Sequence, residues 1–171
     1  KPIVMIDHLF AGSGEFLVAY SRLRRQGVKV IPVSSSRFED IAQAANYFVA
    51  LKRLRHSTIL VVGNTPDTVI TDRYGTTVRE VDYAEITDAY NQADKNRTKE
   101  VAGRWLSEAE KIIEPTKDEI ERSAAMYVAM RGVVDRYSAP AITVNCLGGI
   151  YSGKMKSAYP CLGFMQLDNE G

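Results

Sequence analysis

The residues that could do chemistry concentrate in the last stretch of the chain, residues 141–171. This stretch holds both cysteines and five of the twelve glycines, and the acids Asp168 and Glu170 follow an apolar run at its end. A Gly- and Ser-rich segment at residues 147–157 comes soon after the polar Asn145. Because long loops inside compact domains usually carry function, we interpret residues 147–157 as a site loop, with a plain surface loop as the alternative. The two acids are candidate chemical groups, and a solvated turn is their alternative interpretation.

The two cysteines, Cys146 and Cys161, are the next candidates. They lack the Cys-x-x-Cys spacing of zinc and redox sites, and two cysteines do not make a disulfide framework. We therefore predict buried structural thiols in their reduced form, as is typical of a cytoplasmic protein.

A short glycine motif near the N-terminus raises a nucleotide-binding alternative. Gly12 and Gly14 begin the dinucleotide fingerprint, but Leu17 stands at its third position and Glu15 puts a negative charge where a pyrophosphate would bind. The serines at residues 34–36, with the arginine that follows them, could hold a 2′-phosphate. An NADP-binding module therefore stays open as a weak alternative.

Composition limits the classes of partner. The chain has 171 residues, 45% of them hydrophobic and 25% charged, as expected of one globular domain with a proper core. A net charge of +1 gives no electrostatic footprint for nucleic acid or for an anionic membrane. No apolar run approaches the roughly 20 residues that a membrane span needs. Structured segments stand directly at both ends, so we expect a domain of a longer chain.

The first third of the chain alternates strands and helices. Apolar runs predict strands at residues 2–7, 28–33 and 57–62, and a helical stripe predicts a helix at residues 15–25. A second helix follows the second strand, with Ser36 and Glu39 as a capping box. Its predicted apolar stripe consists of Phe38, Ile41, Ala45, Phe48 and Leu51. This βαβαβ order with short connections is typical of a doubly wound parallel sheet.

The rest of the chain adds a short helix, two strands and long helices. We predict the short helix at residues 68–74 and the strands at residues 77–81 and 141–144. A helical region opened by an Asp82–Glu85 capping box runs to about Ile113, with Val101, Trp105, Ala109 and Ile112 as its stripe. A further helix, capped by Thr116 and Glu119, runs to Arg136 with its apolar stripe inward. The inward residues are Ile120, Ala124, Tyr127, Met130 and Val134.

These elements predict the fold class. It is α/β: a Rossmann-like (flavodoxin-like) doubly wound parallel sheet of about five strands in three αβα layers, within a single domain at residues 1–171. In such sheets ligands bind at the carboxyl ends of the strands. Those ends carry only small or polar groups here. They are His8, residues 12–14, residues 34–36, Asn64 with Thr65, and Asn145.

The last stretch also resembles the central region of the L-fucose/L-arabinose isomerase-like family. The resemblance rests on NCL at residues 145–147, YPCL at residues 159–162 and LDNEG at residues 167–171. Less specific similar segments at residues 10–15, 33–35, 73–75 and 105–115 extend the resemblance over most of the chain's length. The chain departs from the family where it has Asp168 and Asn169 in place of Asn-Asp, and Gly163 in place of Ala.

The resemblance implies a metal-dependent sugar isomerase. Members of the family have three domains, two of them Rossmann-like, and this chain would be the central one. They interconvert aldoses and ketoses through an ene-diol. A divalent cation, typically Mn²⁺, would polarise the oxygens of the sugar, while carboxylates move the proton between C1 and C2. The resemblance also implies a homo-oligomer that contacts its sugar substrate and the other domains of its own chain.

The resemblance carries over few site residues. The first metal-binding Glu of the family would lie just beyond Gly171, so we expect no metal ligand and no assigned catalytic residue within the chain. Glu170 would stand beside the metal site, behind its ligands, while Asn145 and Ser152 would line the sugar pocket. A non-catalytic sugar-binding or sugar-sensing module on the same scaffold is the main alternative function.

Overall fold

The structure, a computed structural model, describes residues 3–7, 12–63, 68–155 and 157–171. Within these ranges the chain is mixed α/β and its strands pair mostly in parallel, which confirms the predicted α/β class. The elements in chain order are β1 (Ile3–Asp7), α1 (Ser13–Arg25), β2 (Val30–Ser34), α2 (Phe38–Arg55), β3 (Thr58–Gly63), β4 (Val69–Thr71), β5 (Thr77–Asp82), α3 (Tyr83–Asn91), α4 (Lys95–Glu108), α5 (Lys117–Arg136), β6 (Ala141–Val144), α6 (Cys146–Tyr151) and α7 (Cys161–Glu170). None of the helices in the described ranges has the length and hydropathy that a membrane span requires.

The chain divides into two compact units, an N-terminal unit at residues 1–56 and a C-terminal unit at residues 57–171. The N-terminal unit contains the parallel pair β1–β2, with Ile3 opposite Val30 and Asp7 opposite Ser34, together with α1 and α2. The buried side chains among its described residues are few: Asp7, Val30, Val33 and Ala44. The prediction of a single domain stays a prediction.

The C-terminal unit is built on a four-stranded sheet with the order β4-β5-β3-β6. The middle strand β3 pairs in parallel with β5 on one side and β6 on the other, while β4 pairs antiparallel with β5. The sequence of β3, TILVVG, suits this position because the inner strands of a mostly parallel sheet are rich in apolar residues; one face of β3 is fully buried and the other is half-buried. Its Leu60 and Val62 side chains are fully buried.

The long helix α5 forms the centre of the C-terminal unit. All five predicted inward side chains of its stripe are buried, which confirms that prediction. The predicted capping box is also present: the Thr116 hydroxyl accepts from the Glu119 N–H at 3.3 Å, and the Glu119 carboxylate accepts from the Thr116 N–H at 2.7 Å. One part of α5 faces the sheet and α3, and another part packs against α4 and α7.

The predicted short helix at residues 68–74 is wrong. Residues 69–71 instead form β4, and a turn follows in which the Asp72 carboxylate accepts the N–H groups of Tyr74 and Thr76, both at 2.8 Å. Gly75 adopts a left-handed φ of 88° that closes the turn. Antiparallel pairing with β5 and this Asp-centred turn override the weak helical pattern.

The predicted helical region at residues 82–113 breaks into α3 and α4. Asp82 caps α3 as predicted, but Glu85 does not complete a capping box, since its carboxylate accepts from Arg136 at 2.9 Å. A second cap at Asp94, whose carboxylate accepts the N–H of Arg97 at 2.6 Å, starts α4. The apolar stripe ends early, because Ala109 is exposed and Ile112 is 42% exposed.

The cap and the stripe of α2 also differ from prediction. The hydroxyl of Ser35, not Ser36, lies at the helix start, where it accepts the N–H of Arg37 at 3.1 Å. Ala44 is buried in place of Ala45, and Phe38 at the first helical position is 75% exposed. The remaining stripe residues are partly buried. The predicted stripe therefore holds at Ile41, Phe48 and Leu51 but not at Phe38 and Ala45.

Two short helices replace the predicted loop and turn near the C-terminus. Helix α6 covers the first half of the segment at residues 147–157, and α7 continues through Asp168 to Glu170. Asn145 starts α6, since its side-chain oxygen accepts the N–H of Gly148 at 3.2 Å. This cap offsets the free-energy cost of placing two glycines in a helix. The glycines are also the reason that the sequence pattern predicts a loop here.

Candidate functional site

The carboxyl edge of the C-terminal sheet carries two polar residues that both cap helices. Asp82 ends β5, and its carboxylate accepts the N–H of Ala84 at 2.7 Å. Asn145 follows β6 and caps α6 as described above. Their side-chain oxygens are thus used to satisfy backbone N–H groups at helix starts. Among the described residues the predicted edge is polar, and the side chains of Asp82 and Asn145 there already have structural partners.

Tyr83 links these two strand ends. Its hydroxyl donates to the backbone oxygen of Asn145 at 2.7 Å, and its side chain is 1% exposed. Burial raises the pKa of the Tyr83 phenol, and negative charge at Cys146 and Asp82 would raise it further. The phenol is therefore a neutral donor that fixes the strand ends with respect to each other.

The close approach of α6 to Tyr83 requires glycine. A Cβ at Gly149 would lie 2.6 Å from the Tyr83 ring and 3.0 Å from the Met155 side chain. A Cβ at Gly148 would lie within 2.6–2.9 Å of the Asn145 side chain that caps the helix. The pair of glycines therefore serves packing at this edge, since larger side chains do not fit.

Asn145 and Ser152 lie at opposite ends of α6. Ser152 follows the last helical residue, and its hydroxyl donates to the backbone oxygen of Gly149 at 3.1 Å. Both residues are exposed. Each side chain hydrogen-bonds to the backbone of α6. The structure therefore shows no contact that the two predicted sugar-pocket residues share.

Glu170 has a different environment, at the end of α7 against α5. Its Oε1 accepts from the Tyr127 hydroxyl at 2.6 Å and from Gln166 Nε2 at 2.8 Å, while Oε2 lies 3.8 Å from Arg131 Nη1. Burial alone raises the pKa of Glu170, but the two hydrogen bonds and the charges of Arg131 and Arg104 outweigh it and lower the pKa below its ordinary value. The carboxylate is therefore ionised at neutral pH.

A small cleft of about 260 Å³ opens beside Glu170 between α4, α5 and α7. It is lined by Arg97, Tyr127, Val128, Arg131 and Glu170. Burial raises the pKa of the Tyr127 phenol, and the Glu170 charge raises it further against the opposing charge of Arg97. The phenol thus keeps its proton and donates a hydrogen bond to Glu170.

Trp105 supports this cleft from α4. The indole N–H donates to Gln166 Oε1 at 2.9 Å, and the ring lies 6.2 Å from that of Tyr127, measured between centroids and tilted by 59°. The predicted packing role of Trp105 is confirmed, because the side chain joins the cluster around Val101 and Tyr127. Glu170 was named from the sequence, whereas Trp105, Gln166 and Tyr127 were not recognised as its neighbours.

Asp168 does not pair with Glu170. Positions two apart in a helix point in different directions, and Asp168 instead lines a larger cavity of about 560 Å³. That cavity includes Pro140, Ala141 and Ile142, which begin β6. It therefore lies at the amino end of β6, whereas the sequence predicted a site at the carboxyl ends.

One polar cluster lies in the N-terminal unit, where the sequence indicated the segments of Ser13 and Ser34 but not Asp7. Asp7, 6% exposed at the end of β1, accepts from the Ser13 hydroxyl at 3.0 and 3.2 Å and from the Ser34 hydroxyl at 2.9 Å. The signal was an acid closing an otherwise apolar strand. These bonds join β1, β2 and the start of α1. The predicted candidates His8, Asn64 and Thr65 lie outside the described residues.

The groups that could hold an NADP phosphate have acidic partners. Ser34 donates to Asp7, while Ser35 and Arg37 both bond to Asp40, each with a contact of 2.5 Å. The Arg37 and Ser35 hydrogen bonds lower the pKa of Asp40 to about 2. A phosphate would meet two carboxylates here, so these contacts disfavour the NADP alternative.

Both cysteines are free thiols, but they are not both buried. Cys146 is half-buried at the start of α6, and Cys161 is exposed at the start of α7. The prediction of buried structural thiols is therefore wrong for Cys161. The Cys161 side chain lies in the first turn of α7 and is exposed to solvent, so it is not part of the packed core.

The described residues do not gather a metal centre: no three His, Cys, Asp or Glu side chains come together within those ranges. Comparison with known proteins adds no assignment, since no family model and no curated protein matches the chain.

Proposed function

We propose that the chain is the central domain of a metal-dependent sugar isomerase that interconverts an aldose and a ketose through an ene-diol. The observation that carries this proposal is the similarity of NCL at residues 145–147, YPCL at residues 159–162 and LDNEG at residues 167–171 to L-fucose/L-arabinose isomerase-like proteins. The α/β class with mostly parallel strands supports it. The finer assignment, one Rossmann-like (flavodoxin-like) doubly wound sheet of about five strands, belongs to the same proposal.

The implied Mn²⁺ does not fit the residues present. Hard divalent cations need several oxygen ligands, and within the described ranges Glu170 Oε1 already accepts two hydrogen bonds. We therefore assign no Mn²⁺ ligand among the described residues. Within the chain, Asn145 and Ser152 stay proposed contributors to the sugar pocket, and Glu170 a neighbour of the metal site.

The proposal extends to the assembly. The same similarity to the isomerase family implies a homo-oligomer in the cytoplasm. Its partners would be a sugar and the other domains of the same chain. We propose no nucleic acid and no anionic membrane as partners, because the net charge of +1 offers no broad attraction to polyanions.

The test is turnover by the intact protein. We expect Mn²⁺-dependent interconversion of at least one pentose or deoxyhexose with its ketose, and loss of that activity after chelation with EDTA. Restoring Mn²⁺ after EDTA controls for damage by the chelator. A full panel of pentoses and deoxyhexoses without turnover would contradict the proposal.

A non-catalytic sugar-binding module is the second candidate. The observation that favours it is the cleft at Glu170, where a carboxylate, two arginines and an aromatic side chain meet within the described residues. This alternative predicts saturable sugar binding that EDTA does not change, without any product formed.

A further inference from the structure

We propose that the cleft between α4, α5 and α7 binds a small neutral polyhydroxyl compound, with one of its hydroxyl groups bridging Arg131 and Glu170. The inference rests on the proposed sugar-handling function for its biological setting. It adds a ligand site between three helices of the C-terminal unit, and neither Asn145 nor Ser152 lines it.

The spacing of two groups points to a bridging hydroxyl. Arg131 Nη1 and Glu170 Oε2 are 3.8 Å apart, which is longer than a hydrogen bond. A guanidinium can only donate and a carboxylate can only accept. A hydroxyl placed between them accepts from Arg131 and donates to Glu170. A group that can only donate, or only accept, would satisfy just one of the two.

The charges in the cleft favour a neutral ligand. Glu170 is ionised and lines the cleft, so it repels a phosphate or a carboxylate. Arg97 and Arg131 line the same cleft and repel a cation. Each arginine already has an acidic partner, Glu100 at 2.9 Å from Arg97 and Asp135 at 2.5 Å from Arg131.

The acceptor is held in place before any ligand binds. Tyr127 and Gln166 both donate to Glu170 Oε1, and Gln166 is itself held by the indole of Trp105. Tyr127 is 3% exposed, so this chain of hydrogen bonds is anchored in the core. A preorganised acceptor reduces the entropic cost of binding, because the protein does not have to order it.

The size of the cleft suits a small molecule. Its volume of about 260 Å³ lies below the roughly 300–1,000 Å³ of pockets for drug-sized ligands. Val128 gives the cleft an apolar wall and Tyr127 an aromatic one. These apolar walls beside the hydroxyl-binding pair Arg131 and Glu170 suit the C–H and O–H groups of a five- or six-carbon polyol.

Trp105 provides a local signal for the test, because it is the single tryptophan of the sequence and bonds to Gln166. The protein would be titrated in EDTA with xylitol, sorbitol, L-arabinitol and methyl pyranosides while its fluorescence is recorded. We expect a saturable change with at least one probe. The Trp105→Phe variant, which should lose the signal, identifies its source.

Three variants locate the site. Glu170→Gln removes the charge of the acceptor and Arg131→Gln the charge of the donor, and Val128→Phe fills the cleft. We expect each to weaken binding at least tenfold. Arg136→Gln is the matched control, because Arg136 lies on the same helix but pairs with Glu85, and it should bind as the unchanged protein does. Thermal melts check folding; if one bridge variant unfolds, the other and Val128→Phe carry the test.

Several results would overturn the inference. A flat titration across the panel would mean that only water bridges the two groups. Saturable binding of inorganic phosphate in place of polyols would contradict the preference for a neutral ligand. Equal binding by all variants would place the polyol elsewhere. Isomerase turnover without binding at this cleft would contradict the inference alone. Polyol binding at the cleft without any turnover would contradict the proposed isomerase function alone.

Discussion

At the scale of single residues, Gly149 is a position where an added methyl group has no room. Its missing Cβ lets α6 lie against the Tyr83 ring. We predict that Gly149→Ala lowers the free energy of unfolding by about 1–3 kcal/mol, the usual cost of overpacking a buried site. Urea denaturation would measure it.

The control for this change is Gly103→Ala. Gly103 lies in the exposed part of α4, and a Cβ there would have nothing within 4 Å. Alanine favours a helix over glycine by up to about 1 kcal/mol, so Gly103→Ala should leave stability unchanged or raise it. Equal losses in the two variants would contradict the packing role of Gly149.

The lowered pKa of Glu170 makes the stability of the protein depend on pH. Because its folded pKa lies below the unfolded value of about 4.3, its interactions stabilise the protein above that value and are lost as the pH falls through the folded pKa. Glu170→Gln should therefore be less stable than the unchanged protein at pH 7, and the two should converge in acid. Thermal melts between pH 7 and pH 3 would measure this. Parallel curves would contradict it.

At the scale of elements, the start of α5 carries a local prediction. The Thr116 hydroxyl caps the helix, so Thr116→Ala should cost about 1 kcal/mol of stability. Thr116→Ser keeps the hydroxyl and serves as the control, with little expected loss. A Thr116→Ala variant as stable as Thr116→Ser would show that the cap contributes nothing, contrary to this prediction.

Elements with local signals were predictable from the sequence, and elements defined by distant partners were not. Helix α5 has a capping box and a full apolar stripe within its own residues, so both its start and its buried face were predicted. Strand β4 has only three residues, all exposed, and exists because it pairs with β5. Strand preference depends on such neighbours, so the pattern at residues 68–74 was misleading.

The same contrast applies to the candidate site. Glu170 was named from the sequence, but its contact with Tyr127 spans 43 residues and depends on how α7 packs on α5. Gly163 permits that packing, since a Cβ there would lie 3.3 Å from the Tyr127 backbone. Asn145 and Ser152 were named together, yet one helical segment separates them, and that helix was predicted as a loop.

At the scale of the whole molecule, the two compact units differ in how much they bury. The C-terminal unit buries the middle of β3 and one side of α5, whereas few described side chains of the N-terminal unit are buried. We predict that amides of β3 and α5 exchange with deuterium most slowly and those of β1 and β2 faster, because local opening follows buried contacts. Hydrogen-exchange mass spectrometry would show this. Equally slow exchange in β1 and β3 would contradict it.

The central claim, that this chain belongs to an aldose–ketose isomerase, is tested most directly by following one proton. An ene-diol intermediate exchanges the hydrogen at C2 of an aldose with solvent, even where little ketose accumulates. The intact protein, incubated in D₂O with Mn²⁺ and a panel of pentoses and deoxyhexoses, should place deuterium at C2 of at least one sugar, and EDTA should prevent it. Sugars that remain free of deuterium across the whole panel, with Mn²⁺ present, would contradict the claim.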